Sequence, residues 1–210
     1  MEIIIAFIVV VFAAVILIPF AGVKWKGIIT IFAVSINSTL SGIIAVRSLI
    51  GINMVEVLPG SIVTGVIPLS VDALSGWFML IINFTIVTGA FYGFQYLKAY
   101  RTQTANLSLH AIAYVLVHAA LISICALQNS LAFLIAWEIM ALSSFILVIF
   151  EHYRQDTLKA GINFLIQSHI SILFLMLGFM WVALKMGSYD FAAITAFSVE
   201  HPMLINFSLL

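Results

Sequence analysis

The chain alternates between long apolar stretches and short polar ones, as proteins that cross a membrane several times do. A helix needs about 20 apolar residues to span the hydrocarbon core of a bilayer. Six apolar stretches of the chain are about this long, and a seventh is expected to begin at Met203. The pattern therefore predicts an all-α polytopic membrane protein with about six transmembrane helices and the start of another. The predicted spans are residues 2–21, 28–50, 77–97, 109–127, 130–150 and 161–184.

Residues 51–76 are also rather apolar, but their composition favours a surface loop with some extended structure. Pro59, Pro68 and four glycines interrupt this stretch, and Glu56 and Asp72 flank its apolar centre. In the sequence VDALSGWF, Asp72 is expected to cap the third helix. No low-complexity linker separates one part of the chain from another.

Composition supports the membrane assignment and excludes several other classes. The chain is 64% hydrophobic and 8% charged, whereas soluble domains carry about 25% charged residues. Its formal net charge of zero argues against a nucleic-acid partner. The single cysteine, Cys125, cannot form a disulfide framework or a Cys-pair metal site. Residues 1–21 begin with Glu2 and lack an Ala-x-Ala cleavage site, which favours a retained first helix over a signal peptide.

The basic residues predict how the chain is oriented. Only Arg47 and Lys185 flank the side on which residues 51–76 lie, and the other basic residues occupy alternate loops. The positive-inside rule then puts those loops in the cytoplasm and the N-terminus outside, in a multi-pass protein of the cell inner membrane or plasma membrane. The basic residues of the predicted cytoplasmic loops are Lys24, Lys26, Lys98, Arg101, Arg154 and Lys159.

Three consecutive predicted helices each carry an ionisable residue near the middle of the membrane. His118, Glu138 and His169 lie in helices four, five and six. With a rise of about 1.5 Å per residue, each is about 12–15 Å from its own entry surface, in a core about 30 Å thick. Ionisable groups at such depth tend to mark ion pathways, and the three residues are candidates for a proton pathway.

The alternative is a structural role for these residues. A midplane histidine can lock helix packing by bonding a backbone carbonyl or a serine, and this remains open for His118 and His169. A structural carboxylate at Glu138 requires a cation partner, and no lysine or arginine of the sequence lies at its depth. The functional interpretation is therefore favoured for Glu138. The sequence contains no GxGxxG, Walker-type or HExxH motif, so no catalytic, metal-binding or cofactor-binding residue is predicted.

Three stretches resemble one family of membrane proteins. AWEIMALSSFIL (136–147) resembles the fifth-helix motif of the antiporter-like proton-translocating subunits of respiratory complex I, Mrp-type antiporters and membrane-bound hydrogenases of the formate hydrogenlyase type. VDALSGWFMLIIN (71–83) is similar to the opening of their third helix. KAGINFLIQSHISILFLMLG (159–178) is similar to their sixth helix, and its Ser-His pair favours the hydrogenase-linked branch.

The resemblance implies that the chain corresponds to the N-terminal portion of such a subunit. The family contains two inverted repeats, and its pump pairs the helix-five glutamate with a lysine on helix seven. That lysine is expected beyond Leu210, so the chain is interpreted as truncated. Residues 1–107 are interpreted as an N-terminal three-helix region with an extracytoplasmic loop at 51–76. Residues 108–210 are then the beginning of the first repeat, with helices four to six and the start of seven. Phe145 occupies a position where the family often has tyrosine.

The implied function is proton conduction by a subunit of a redox-driven complex, of the hydrogenase/formate hydrogenlyase or NADH:quinone oxidoreductase type. The path is a midplane relay of Glu138, His169 and His118. The subunit is expected to be non-catalytic and to bind no redox cofactor and no metal. Its expected partners are the lipid bilayer, other membrane and redox subunits, and protons, with sodium as an alternative ion. Two other functions stay open, an Mrp-type cation/proton antiporter subunit and a truncated structural membrane subunit.

Overall fold

The computed structural model describes residues 1–61, 64–100 and 104–200. In these ranges the chain is almost entirely helical. A 3₁₀ turn, Leu97–Tyr100, follows the third helix, and another, Ile149–Glu151, follows the fifth. The α-helices are α1 (Glu2–Phe20), α2 (Val23–Leu49), α3 (Ala73–Tyr96), α4 (Thr104–Ala126), α5 (Ser130–Val148), α6 (Gln155–Met186) and α7 (Phe191–Glu200).

Within the described ranges, six helices, α1 to α6, are long and apolar enough to cross a membrane. This confirms the predicted all-α polytopic fold class. Several helices begin earlier than predicted, because polar residues outside the hydrocarbon core can still continue a helix. For example, α6 contains 32 residues, or about 48 Å, which exceeds the thickness of the hydrocarbon core. The predicted boundary at residue 107 lies inside α4, and the division of the chain into two regions stays a prediction.

Consecutive long helices run in opposite directions and pack side by side, so the bundle has two distinct ends. The lysine end contains the start of α2, the end of α3 and the start of α6, with Lys24, Lys98 and Lys159. We call the opposite end the hairpin end, because it contains the segment between α2 and α3, which carries two paired strands. The short turn between α4 and α5 lies at the same end. The basic loops and residues 51–76 thus lie at opposite ends, while the orientation of the N-terminus stays a prediction.

The described part of residues 51–72 contains the extended structure that the sequence predicts. Strands β1 (Met54–Leu58) and β2 (Ile67–Val71) pair antiparallel, with Met54 opposite Val71. Asp72 follows β2 directly and caps α3, since its Oδ1 accepts a hydrogen bond of 2.8 Å from the Ser75 backbone N–H. This hydrogen bond lowers the pKa of the Asp72 carboxyl below its usual value. The predicted helix cap is therefore confirmed.

The sequence pattern did not predict α7. Gly187 ends α6 in the left-handed conformation, with φ 68° and its N–H bonded to the Ala183 carbonyl. The chain then turns and forms a ten-residue helix, Phe191–Glu200, that is too short to stand out as an apolar span. The expected opening of a further span at Met203 lies outside the described residues.

Candidate functional site

Glu138 of α5 and His169 of α6 lie against each other in the structure. The Glu138 Oε2 atom is 3.6 Å from His169 Nε2, which is an ion-pair distance. Glu138 follows the first residue of α5, Ser130, by eight residues, or about 12 Å along the helix axis. The structure thus brings together two of the three residues that the sequence singled out.

Close packing of α5 against α6 accompanies this contact. Gly161 of α6 has no side chain, and a Cβ atom at this position would collide with the Ile149 side chain. The same Cβ would lie 3.4 Å from the ring of Phe145. Phe145 therefore packs over Gly161, at the position where the resemblance favoured tyrosine.

The hydrogen bonding of His169 determines which of its nitrogens carries a proton. Its Nδ1 atom lies 2.9 Å from the Leu165 carbonyl oxygen, and because a carbonyl can only accept, Nδ1 must donate. In a neutral ring Nε2 is then a bare acceptor. The ionised Glu138 carboxylate also only accepts, so the two facing atoms attract each other only when a proton is shared between them. The contact is therefore an attractive one only when Glu138 Oε2 or His169 Nε2 carries a proton.

His118 lies in a second polar group, deep between α2, α3 and α4. Its side chain is fully buried, and its Nε2 lies 2.9 Å from Asn83 Oδ1 and 3.5 Å from Ser38 Oγ. The Asn83 amide donates to the Ser38 carbonyl and to Ser41 Oγ, which leaves its oxygen to accept. His118 Nε2 is therefore the donor in this contact, and the Nδ1 of the neutral ring is a bare acceptor.

Several polar atoms near this level are buried without a hydrogen-bond partner among the described residues. They are both amide atoms of Asn37, the Nδ1 of His118 and the Nε1 of Trp137. Burying a polar group without a partner costs free energy. In folded proteins a buried water usually supplies the missing hydrogen bonds. We define the His118 cluster as His118 together with Asn37, Ser38, Ser41 and Asn83.

The asparagines of the His118 cluster were not predicted from the sequence. Asn37 and Asn83 lie near the middle of predicted spans, and both are almost fully buried. Their polar side chains at membrane depth are a signal in the sequence, but neither side chain is ionisable, so neither stands out as a proton-binding group. The cluster therefore extends the polar interior to α2 and α3.

The His118 cluster and the Glu138–His169 pair lie at a similar level but remain separate. His118 precedes the end of α4, Ala126, by eight residues, about 12 Å along the helix axis. Glu138 lies at the same separation from the start of the antiparallel α5. Within the described part of the chain, no hydrogen bond or ion pair joins His118 to either member of the pair. The structure thus divides the three predicted residues between two polar groups.

Asn129 fixes the start of α5 and therefore the level of Glu138. Its Oδ1 accepts hydrogen bonds from the backbone N–H groups of Leu131 and Ala132 at the start of the helix. Its Nδ2 donates to Asp190 Oδ1 at 3.1 Å and to the Thr64 carbonyl at 3.2 Å. One buried side chain therefore joins the helix turn, the α6–α7 connection and the segment between the strands.

The described residues contain no group of three or more histidine, cysteine, aspartate or glutamate side chains placed to hold a metal ion. The part of Glu138, His169 and His118 in a proton pathway stays a prediction.

Comparison with known proteins supports the resemblance drawn from the motifs. Residues 128–210 match the family described as NADH:quinone oxidoreductase/Mrp antiporter, transmembrane. Hydrogenase-4 component B of Escherichia coli (strain K12) is 27% identical over 135 residues, which is 63% of this chain and 19% of that protein. An uncharacterized protein of Mycobacterium tuberculosis (strain ATCC 25618 / H37Rv) is 27% identical over 128 residues, with 61% and 19% covered.

The chain therefore spans about a fifth of the length of the curated relatives that it matches, since 19% of each relative is covered. The part matched by the family contains Glu138, Phe145 and His169. Residues 128–210 thus match the family of antiporter-like membrane subunits that the stretch AWEIMALSSFIL (136–147) resembles.

Proposed function

We propose that this protein is a proton-conducting, antiporter-like membrane subunit that works within a redox-driven complex. The observation that carries the proposal is the contact between Glu138 and His169, 3.6 Å apart across two membrane-spanning helices. Support for a redox-driven complex comes from Hydrogenase-4 component B, whose name makes it part of a hydrogenase. The complex would contain further membrane and redox subunits in the cell inner membrane or plasma membrane.

The pair is suited to hold a proton and pass it on. With one proton present, either the Glu138 carboxylic acid donates to the bare Nε2 of His169, or the protonated ring faces the carboxylate. A second proton gives the pair a net positive charge, and loss of the only proton leaves two acceptors facing each other. The pair with two protons and the pair with none are both costly at membrane depth, so uptake of one proton favours release of another.

His118 provides a second acceptor at the same level. Its bare Nδ1 and the orphaned amide of Asn37 are buried polar groups that water molecules can satisfy. A chain of such waters would connect the His118 cluster to the Glu138–His169 pair, which the protein atoms alone leave separate. We propose that protons cross the membrane midplane through this hydrated connection.

A second candidate function is that of an Mrp-type cation/proton antiporter subunit. The description of the matched family includes both the NADH:quinone oxidoreductase and the Mrp antiporter types. The two functions differ in their driving force, because an antiporter requires a sodium or other cation gradient and no electron transfer. Proton flux that depends on electron donor but not on sodium would favour the redox-driven function.

The test is the substitution Glu138→Gln, assayed as redox-driven proton uptake by membrane vesicles that contain the assembled complex. The glutamine amide can donate to the bare Nε2 of His169, so the side-chain contact is kept while the ionisable group is lost. We expect proton uptake to fall to background while the amount of assembled protein is unchanged. Glu56→Gln, in the hairpin outside the membrane spans, is the matched control and should leave uptake unchanged. Normal uptake by Glu138→Gln would instead favour the structural role.

A further inference from the structure

A cavity of about 280 Å³ opens between α2, α3 and α4 at the lysine end of the bundle. Lys24, Lys26 and Lys98 all line it, and none of the described lining residues is an aspartate or a glutamate. We call this space the lysine cavity. Its lining carries up to three positive charges and no described negative one, so its chemistry is that of an anion site.

The three lysines stand at different depths in the lysine cavity. Lys26 is 5% exposed, and its ammonium group donates to the hydroxyl of Ser108 on α4. Lys24 and Lys98 are exposed at the rim, and Lys98 Nζ lies 5.1 Å from the centre of the Phe94 ring. The Lys98 ammonium also donates to Gln95 Oε1. An anion entering the cavity would thus meet two exposed ammonium groups first and a buried one behind them.

The remaining wall of the lysine cavity is mostly apolar, with Thr30, His110 and Tyr114 as further polar lining residues. Ile28, Phe94, Leu97 and Leu107 contribute to it. The cavity lies at the start of α2 and the end of α3, where helices leave the hydrocarbon core. The neighbouring Trp25 side chain is 62% exposed, as expected for an aromatic residue at the membrane interface. A ligand of this site therefore has a negatively charged part beside an apolar part, at the level of lipid headgroups.

We infer that the lysine cavity binds the headgroup of an anionic phospholipid. The phosphate diester would lie against Lys24 and Lys98, and the glycerol backbone and the first acyl carbons against Phe94 and Leu97. Basic pockets between membrane helices favour anionic lipid headgroups, and hydrogen bonds from ammonium groups to phosphate are strengthened by charge. The volume is near the lower limit of small-molecule sites, which is about 300 Å³, and suits a headgroup better than a nucleotide.

Gly93 of α3 offers a way to fill the lysine cavity without disturbing the helices. It lines the cavity, and no atom lies within 4 Å of the position that a Cβ atom would take. Gly89, one turn earlier, differs because a Cβ there would collide with the Tyr114 hydroxyl. A leucine at position 93 would therefore project into the cavity and exclude a headgroup.

The experiment is native mass spectrometry of the purified protein, titrated with phosphatidylglycerol or with phosphatidylcholine of the same acyl chains. We expect the protein to bind phosphatidylglycerol at least about fivefold more tightly than phosphatidylcholine. A fivefold ratio corresponds to about 1 kcal/mol, which is the contribution of one lysine near a charged lipid. Lys98→Gln should lower the phosphatidylglycerol affinity about fivefold and the phosphatidylcholine affinity by less, because the choline cation of phosphatidylcholine offsets the charge of its phosphate. Gly93→Leu should remove the preference. Lys159→Gln, at the same end but outside the cavity, is the matched control and should bind like the parent.

Three results would each overturn the proposal. The first is equal binding of the two lipids by the parent protein. The second is an undiminished preference in both Lys98→Gln and Gly93→Leu, with melting temperatures that show both variants to be folded. The third is displacement of the lipid by millimolar inorganic phosphate, which would identify a site for a free anion. Because the assay needs no proton flux, its failure is independent of the function proposed for Glu138 and His169.

Discussion

Asn129 joins three segments at the hairpin end, and its replacement by alanine is expected to destabilise the protein measurably. Loss of a side-chain N-cap costs about 1 kcal/mol. Loss of the hydrogen bond to the Thr64 carbonyl costs about 1 kcal/mol. The bond to Asp190 contributes less, about 0.5–1 kcal/mol, because this partly exposed carboxylate can be hydrated instead. The sum is about 2.5–3 kcal/mol.

The assay is thermal unfolding of the purified protein in detergent. For a chain of this size, about 2.5–3 kcal/mol corresponds to a fall of about 5–12 °C in melting temperature. Asn129→Ser keeps an acceptor for the helix N-terminus and should recover about 1 kcal/mol of the loss. Asn163→Ala, at an exposed position of α6, is the control and should change stability by less than about 0.5 kcal/mol. A melting temperature of Asn129→Ala within 1 °C of the parent would refute the role given to this side chain.

Three further predictions concern the other polar features. Asn83→Leu removes the acceptor of His118 Nε2–H, so the free energy of unfolding in detergent should fall by about 1–3 kcal/mol. An unchanged melting temperature would argue against a stabilising hydrogen bond between Asn83 and His118. The capping bond lowers the pKa of Asp72, so its stabilisation is present at neutral pH and lost as the pH falls through that lowered value. Asp72→Ala should thus lower the melting temperature at pH 7 and have a smaller effect at the acid end of the titration; an equal loss at both pH values would contradict this cap. A cysteine at Val55, which is 71% exposed on β1, with the native cysteine replaced by serine, should react with an impermeant thiol reagent only from outside the cell; reaction only from the cytoplasmic side would reverse the topology.

The transmembrane part of the fold could be predicted because apolar length is a property of the sequence alone. The helix boundaries were less accurate, since polar residues such as Gln155 can extend a helix beyond the hydrocarbon core. The short α7 was missed because ten residues are too few to be recognised as a span. The extended structure of residues 51–76 was expected from the prolines and glycines, but the strand register depends on contacts that the sequence does not display.

The depth of the candidate site residues in the membrane could be predicted, but the direction in which each side chain points could not. The rise per residue of a helix puts Glu138, His169 and His118 at similar levels. Which way each side chain points depends on the rotation of each helix, which one ionisable residue per helix cannot fix. Glu138 faces His169, whereas His118 faces Asn83. Because the Asn83 side chain is neutral, its contact with His118 could not be recognised from the sequence.

The central claim is that Glu138 and His169 act as one proton-holding unit. The most direct test is redox-driven proton uptake by vesicles that contain the assembled complex with Glu138→Gln, His169→Gln or both. If the two residues form one unit, each single variant loses nearly all uptake and the double variant loses no more. Equal amounts of assembled protein in all samples make the comparison valid. Partial losses that multiply in the double variant, or normal uptake in either single variant, would contradict the claim.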